Sequence, residues 1–360
     1  MHSFRQCGIA RPVSLEARAR SGGLFVAPAL SSLNDNLPGG SKSAPGCRLC
    51  LNKVANNTHT VREMMFGTKD EFHYLECSAC GCLQLLDPPA SMDRYYSGDY
   101  YSFKATAEPR SSVFSPRLLV RTLRNRAYIA DLPILTSALD RVLPNPQFRA
   151  FAAAKPNRDS RILDVGCGEG SFLKDLTALG FKHALGVDPF LRQSICYPNG
   201  LEIRKCALDG LEGTTWDLIM FHHSFEHVPD PLATLQAVAG LLSKRGCCLI
   251  RTPVPAWAWR NYGVDWVELD APRHFFLHTK RSLSLLAERV GLRLTRIDYD
   301  SDALQFWGSE LYRRDIPLSA AQRGDPRGLF SAGELKRFRD TARKLNDCGE
   351  GGRAAFYLAK

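Results

Sequence analysis

Four groups of residues carry side chains and spacings that can do chemistry. Cys47-x2-Cys50 and Cys77-x2-Cys80 are two C-x-x-C knuckles with 26 residues between them. Such knuckles can set four thiolates tetrahedrally around zinc, and a four-sulfur shell leaves the ion no open position, so the expected role is structural. Cys82 adds a fifth sulfur, read as a buried or spare thiol. The second group is Leu163-Asp164-Val165-Gly166-Cys167-Gly168-Glu169-Gly170. Its glycines let the backbone turn sharply and approach a ligand closely. About 20 residues on, Gly186-Val187-Asp188 ends a second apolar run, where a carboxylate can accept both hydroxyls of a ribose. The third group is His222-His223-Ser224-Phe225-Glu226-His227. It contains H-x-x-E-H, a zinc-protease pattern that requires a helix. Here it follows a strand and runs into Val228-Pro229-Asp230-Pro231, which excludes that chemistry. The fourth is aromatic: Trp257, Trp259, Tyr262 and Trp266, with Arg273 and His274 following. Such rings can exclude water beside a substrate, and Arg273 can pair with a phosphate or carboxylate.

These residues need elements to hold them. Arg161–Val165 reads as a short buried strand leading through the glycine turn into a helix near Ser171–Gly180. Further strands are expected at Ala184–Val187, Leu201–Ala207, Trp216–Phe221, Cys247–Arg251, Leu292–Tyr299 and Ala354–Ala359. Helices are expected at Pro231–Leu242, Leu283–Val290 and Ala332–Leu345. Strands and helices alternating on this spacing give a parallel α/β sheet. Upstream, residues 1–44 read as a disordered tail, 45–103 as the cysteine module with a tyrosine-rich linker, and 104–155 as a helical linker or lid. Tyr95, Tyr96, Tyr100 and Tyr101 could fold over the site or pack between the parts.

LDVGCGEG followed by GVDP resembles the class I S-adenosylmethionine-dependent methyltransferases. The resemblance implies a Rossmann-like seven-stranded sheet over residues 156–360, the last strand antiparallel. It also implies a cofactor cradle: Asp164 orients the loop and the cofactor's amino group, Gly166, Cys167, Gly168 and Gly170 pack against its methionine part, Asp188 holds the ribose and Asp209 meets the adenine. More narrowly, residues 45–360 resemble bacterial methyltransferases with an N-terminal zinc module, some of which act on nucleotide sugars or cell-surface glycans. The matching segments are the cysteine pairs, Tyr95–Tyr101, His223–Pro231 and Asp270-Ala-Pro-Arg273-His274.

In this fold the end of the fourth strand faces the transferred methyl group. Three roles for the residues there stand open. Glu226 and His227, with His223 beside them, orient or deprotonate a hydroxyl or carbon acid. Alternatively, His223, Glu226 and His227 bind a divalent ion with His274 or His278, a partial likeness to the E-x-x-E-H site of some small-RNA and quinone methyltransferases. The third role is a structural pair. Tyr100, Trp259, Arg273 and His274 are the expected acceptor-binding residues.

The 360 residues, 44% hydrophobic and 23% charged, are ordinary for a globular chain, which excludes collagen-like, mucin-like and wholly disordered proteins. No apolar run is long enough for a spanning helix. The twelve cysteines with no secretory signal, together with the resemblance, point to a cytoplasmic enzyme that uses S-adenosylmethionine and a structural zinc ion on a small molecule, a sugar or glycan intermediate. The cysteine module also suits nucleic-acid binding and keeps a zinc-containing RNA methyltransferase as a rival, although a net charge of +10 is modest and the N-P-P-[YF] segment of base-amine enzymes is missing. A non-catalytic module of the same fold is the other rival.

Overall fold

Alternating faces of one sheet build the centre of the molecule. The computed structural model describes residues 45–96, 116–211, 213–321 and 326–360. The expected tail over residues 1–44, and Tyr100 and Tyr101, lie outside them.

β1 (Asn57–Arg62), β2 (Glu71–Glu76) and β3 (Leu83–Leu85) form an antiparallel meander. The first cysteine pair precedes β1, and the second sits in the β2–β3 turn, where Gly81 N donates to Cys77 O at 2.8 Å. Three helices follow, α1 (Pro116–Ile129), α2 (Pro133–Val142) and α3 (Pro146–Ala153). Proline opens each of α2 and α3, where its missing N–H costs nothing.

The main sheet begins with β4 (Ile162–Val165) and continues through α4 (Ser171–Ala178), β5 (Ala184–Val187), β6 (Ile195–Cys196), β7 (Glu202–Arg204), β8 (Trp216–His222), α5 (Pro231–Leu241) and β9 (Leu242–Pro253). After α6 (Trp257–Tyr262), β10 (Phe276–Leu277) leaves this sheet and pairs with β3, completing a four-stranded sheet from residues nearly two hundred positions apart. The chain then adds α7 (Lys280–Arg289), β11 (Arg293–Tyr299), α8 (Leu304–Arg313), α9 (Ala332–Asp347) and β12 (Arg353–Ala359).

The main sheet has the order β11-β12-β9-β8-β4-β5-β7-β6. Strands β7, β5, β4, β8 and β9 are parallel, and β12 runs antiparallel between β9 and β11. The sheet is therefore eight-stranded, not seven: the two-residue β6 adds an antiparallel edge, too short to show a period. Both faces are covered, as a parallel core requires. Ile162, Met220 and Leu249 face α3 and α4, packing on Phe148, Phe151, Phe172 and Leu176. Leu163, Ile219, Phe221 and Ile250 point the other way onto Leu235 and Val238 of α5 and Leu283 and Leu286 of α7. A third cluster joins β1–β3 residues to the aromatic insert and α8: Phe72, Tyr74, Trp259, Trp266 and Phe306 are buried together.

Caps fix where the site-bearing elements start. Asp230 accepts from Ala233 N and Pro231 takes the first turn of α5, so the segment after β8 must end there. Thr279 and Ser282 form a capping box on α7. No helix among the described residues is long and apolar enough to cross a membrane.

Candidate active site

The glycine turn closes the carboxyl end of β4. Gly166 has φ +73°, a region that side chains with a Cβ avoid, and a Cβ there would stand 2.5 Å from Ser224 Cβ. The turn is thus pressed directly against the segment leaving β8. Ser224 Oγ donates back to Val165 O at 2.6 Å and locks the two together. At the end of β5, Asp188 accepts from Gly168 N and Phe190 N, both at 2.9 Å. Each carboxylate oxygen keeps a further lone pair for a ligand hydroxyl.

Asp164 is buried beside Asp188, and burial followed by that neighbouring charge pushes its carboxyl up to about 8. Burial also raises Asp188, although the Phe190 and Gly168 amides oppose it. Two carboxyls held this way suit a ligand that brings an ammonium group and a ribose. The sequence-expected residues Asp164, Gly166, Cys167, Gly168, Gly170 and Asp188 are brought together at the carboxyl ends of the neighbouring strands β4 and β5, with the Cys167 thiol pushed up by burial. Asp209 is exposed on the short 3-10 turn after β7.

The end of β8 carries the histidine cluster on a 3-10 turn, Phe225–His227. His223 itself adopts φ +54°. Its Nδ1 lies 3.2 Å from Glu226 Oε1, and its Nε2 meets Arg251, which is paired with Asp300 at 2.5 Å. Glu226 is fully buried; burial outweighs nearby donors and raises its carboxyl to about 8, leaving it protonated at neutral pH. Its Oε2 meets no hydrogen-bond partner among the described residues. His227 Nδ1 lies 2.9 Å from Arg273 O. A carbonyl only accepts, so Nδ1 carries the proton and Nε2 the lone pair. Burial lowers the His227 pKa, which keeps the ring neutral and able to take a proton. The Tyr96 ring lies 6.4 Å from both Phe190 and His227, spanning the gap between the Asp188 loop and the histidine.

His274 meets His227 edge-on with ring centroids 4.9 Å apart, and its Nδ1 donates to Glu268 O at 2.9 Å. Glu226, His227 and His274 each offer a ligand atom within 4.8 Å of the others. His278 stands apart from that set, buried between Phe225 and Phe276, and burial lowers it to about 3.

Two substrate-side expectations are corrected. Arg273 meets no outside anion: it is fully buried and shared between Glu63 at 2.9 Å and Asp270 at 2.5 Å. Trp259 is no open wall: it is buried, donates to Glu76 at 2.9 Å and packs edge-on against His59. The insert needed an internal partner for each indole, and the small sheet supplies it. Tyr100 lies outside the described residues. Sequence reasoning missed Glu63, Tyr74, Ser224, Arg251 and Asp300. Only Ser224 and Arg251 lay near a recognisable segment; Glu63 is 210 positions from its partner.

Cys47, Cys50, Cys77 and Cys80 come together with Sγ separations of 3.4 Å for Cys50–Cys77 and 3.7 Å for Cys47–Cys80. A tetrahedral shell with zinc–sulfur bonds near 2.3 Å requires edges of about 3.8 Å, so the set fits zinc. The Cys80 hydrogen bond lowers Cys47 to about 5, favouring a thiolate, while Cys80 is raised. Cys82 is buried, with its thiol pushed up by burial.

The family model for a methyltransferase domain matches residues 138–297. The human mitochondrial ubiquinone biosynthesis O-methyltransferase is 27% identical over 172 residues, 43% of this chain and 43% of that protein. Its Cereibacter sphaeroides namesake is 29% identical over 137 residues, 35% of this chain and 55% of that one. The chain thus spans about half the length of the curated relatives it matches. Among solved structures, an S-adenosylmethionine-dependent methyltransferase from Mesorhizobium loti aligns at 17% identity and a TM-score of 0.40, covering 59% of this chain and 97% of that one. Over residues 138–297 the chain is thus similar to a methyltransferase domain.

Proposed function

We propose that the protein transfers a methyl group from S-adenosylmethionine to a small molecule, and that His227 receives the acceptor's proton. One observation carries the reading: the glycine turn and its acidic pair abut the segment that leads to His227, through the Gly166–Ser224 contact. The bound cofactor supplies a sulfonium methyl with a good leaving group. The chain's task is alignment, water exclusion and removal of one proton. Asp164 would hold the amino group, Asp188 the ribose hydroxyls, and the positive-φ glycines admit the ligand backbone-close. The acceptor O–H or C–H bond would give its electron pair to the methyl carbon as the methyl–sulfur bond breaks and its electrons leave on the neutral sulfide, and the proton would pass to His227 Nε2. Glu226, protonated and linked to His223, orients the turn beneath.

The resemblance favours a sugar or glycan intermediate as the acceptor. The curated relatives, named for ubiquinone biosynthesis, make a phenolic acceptor the comparison. The cysteine set would hold one structural zinc ion in the same enzyme. A second reading of the histidine turn also has an observation in its favour. Glu226 Oε2 is buried without a partner among the described residues, and with His227 and His274 it could hold a divalent ion. Transfer of labelled methyl from S-adenosylmethionine to a nucleoside-diphosphate sugar and to a catechol, with and without chelator, separates the readings. Transfer that survives chelation but is lost in His227→Ala supports the base. Loss on chelation, restored by magnesium or manganese but not by zinc alone, supports the metal, because the cysteine set selects zinc and oxygen and imidazole ligands accept the others. No transfer to either acceptor overturns both acceptor assignments.

A further inference from the structure

The residues that grip the loop beside His227 come from the far end of the chain. Arg273 has its whole fork engaged: Nε donates to both Asp270 oxygens at 3.0 Å, Nη1 to Tyr95 O at 3.1 Å, and Nη2 to Glu63 Oε1 at 2.9 Å. Glu63 is fully buried just past β1 and is itself held by the amides of Phe66 and Thr68, each at 3.0 Å. Tyr74 on β2 donates its hydroxyl to His274 O at 2.6 Å. Residues 273–275 lie along the 226–227 turn: Phe275 N donates to Glu226 O at 2.8 Å, and Arg273 O receives the His227 Nδ1 proton at 2.9 Å.

The side chain of Arg273 therefore faces the small sheet while its carbonyl faces the histidine. A planar, multiply anchored guanidinium fixes the backbone from which it hangs far better than a single contact does. The Arg273 carbonyl lies 2.9 Å from Nδ1 and can only accept, whereas the Tyr96 hydroxyl lies farther off at 3.3 Å; the carbonyl thus selects which ring nitrogen of His227 keeps the lone pair, and an outer partner of this kind sets both tautomer and ring orientation.

We infer that Glu63 is a positioning residue for His227, acting through Arg273: the small sheet sets the tautomer of the histidine. The inference rests on the reading of His227 as the proton acceptor but is measured without an acceptor. The experiment labels histidine with 15N in the full chain and reads the two ring nitrogens near neutral pH, assigning His227 by its disappearance in His227→Ala. The wild-type ring shows a protonated Nδ1 and a lone-pair Nε2. In Glu63→Gln, folded by circular dichroism, the ring becomes a mixture of tautomers while S-adenosylmethionine affinity stays within about twofold, because Asp164 and Asp188 are not touched. Glu63→Asp, which keeps the charge, returns the wild-type pattern at least in part. A folded Glu63→Gln chain with the wild-type tautomer overturns the inference. Should that variant fail to fold, Arg273→Lys is read in the same way: it keeps the carbonyl but loses the fork, and an unchanged tautomer there overturns it. Failure of the base assignment is distinct: turnover would survive in His227→Ala while the tautomer still depends on Glu63.

Discussion

At Asp164 and Asp188, protonation meets the proposed cofactor site. With its carboxyl pushed to about 8, Asp164 keeps its proton at neutral pH in the free protein. An ammonium group arriving beside it favours the carboxylate, so S-adenosylmethionine binding at pH 7 should release a fraction of a proton. Calorimetry in buffers of different ionisation enthalpy measures this, and the release should fade in Asp164→Asn. The same shift bears on stability. The unfolded carboxyl ionises near pH 4, whereas the folded one holds its proton to about 8, so the wild-type chain loses stability as pH rises across that window. Denaturant unfolding should show a larger loss from pH 5 to 8 in the wild type than in Asp164→Asn. His227 carries the catalytic prediction: removing a general base costs about 10²–10⁴-fold in rate. His227→Ala should lose turnover on that scale with cofactor affinity and melting temperature near wild type.

At the scale of elements, the glycine turn follows β4 of the main sheet, and the cysteine knuckles flank β1 and β2 of the small sheet. Gly166→Ala must both adopt φ +73° and displace Ser224. Left-handed strain alone costs about 1–3 kcal/mol, and the clash at the cofactor edge adds lost affinity to lost stability. Thermal melts and calorimetry on the variant would check both effects; unchanged affinity would mean that the turn does not approach the ligand. Elemental analysis under non-chelating conditions should find one zinc per chain. Cys77→Ser should lower the melting temperature of the whole chain, because metal-ligand energy is folding energy and the cysteines share one buried cluster with Leu163, Phe221 and Leu283. The pieces of sequence that announced these elements were local. The glycine turn, the two knuckles and the strand periods around Leu163, Leu185 and Ile219 each carry their signal within a few residues. β6 and β10, two residues each, carry none. α8 was missed because its inward face is mixed, with Gln305 and Ser309 buried beside Phe306 and Leu311.

Over the whole molecule, long-range pairing decides what the local pattern leaves open. Arg273 beside a cluster of aromatic residues reads as a substrate anchor until Glu63, 210 positions earlier, is found holding it. Trp259 reads as a pocket wall until Glu76 and His59 are found on it. Buried ions demand partners, and a single sequence does not say from where they come. The proposed cofactor half of the site was legible because its residues follow one another at strand ends. The proposed acceptor half draws on β8, the loop before β10 and the small sheet, and no short motif contains it. The central claim concerns the cofactor, and titrating S-adenosylmethionine into the full-length wild type and Asp188→Ala by calorimetry tests it most directly. Each charge-assisted hydrogen bond is worth about 1.5–3 kcal/mol, so the wild type should bind one molecule per chain and the folded variant at least about tenfold more weakly. No binding to the wild type, or equal affinity in the folded variant, would contradict the account.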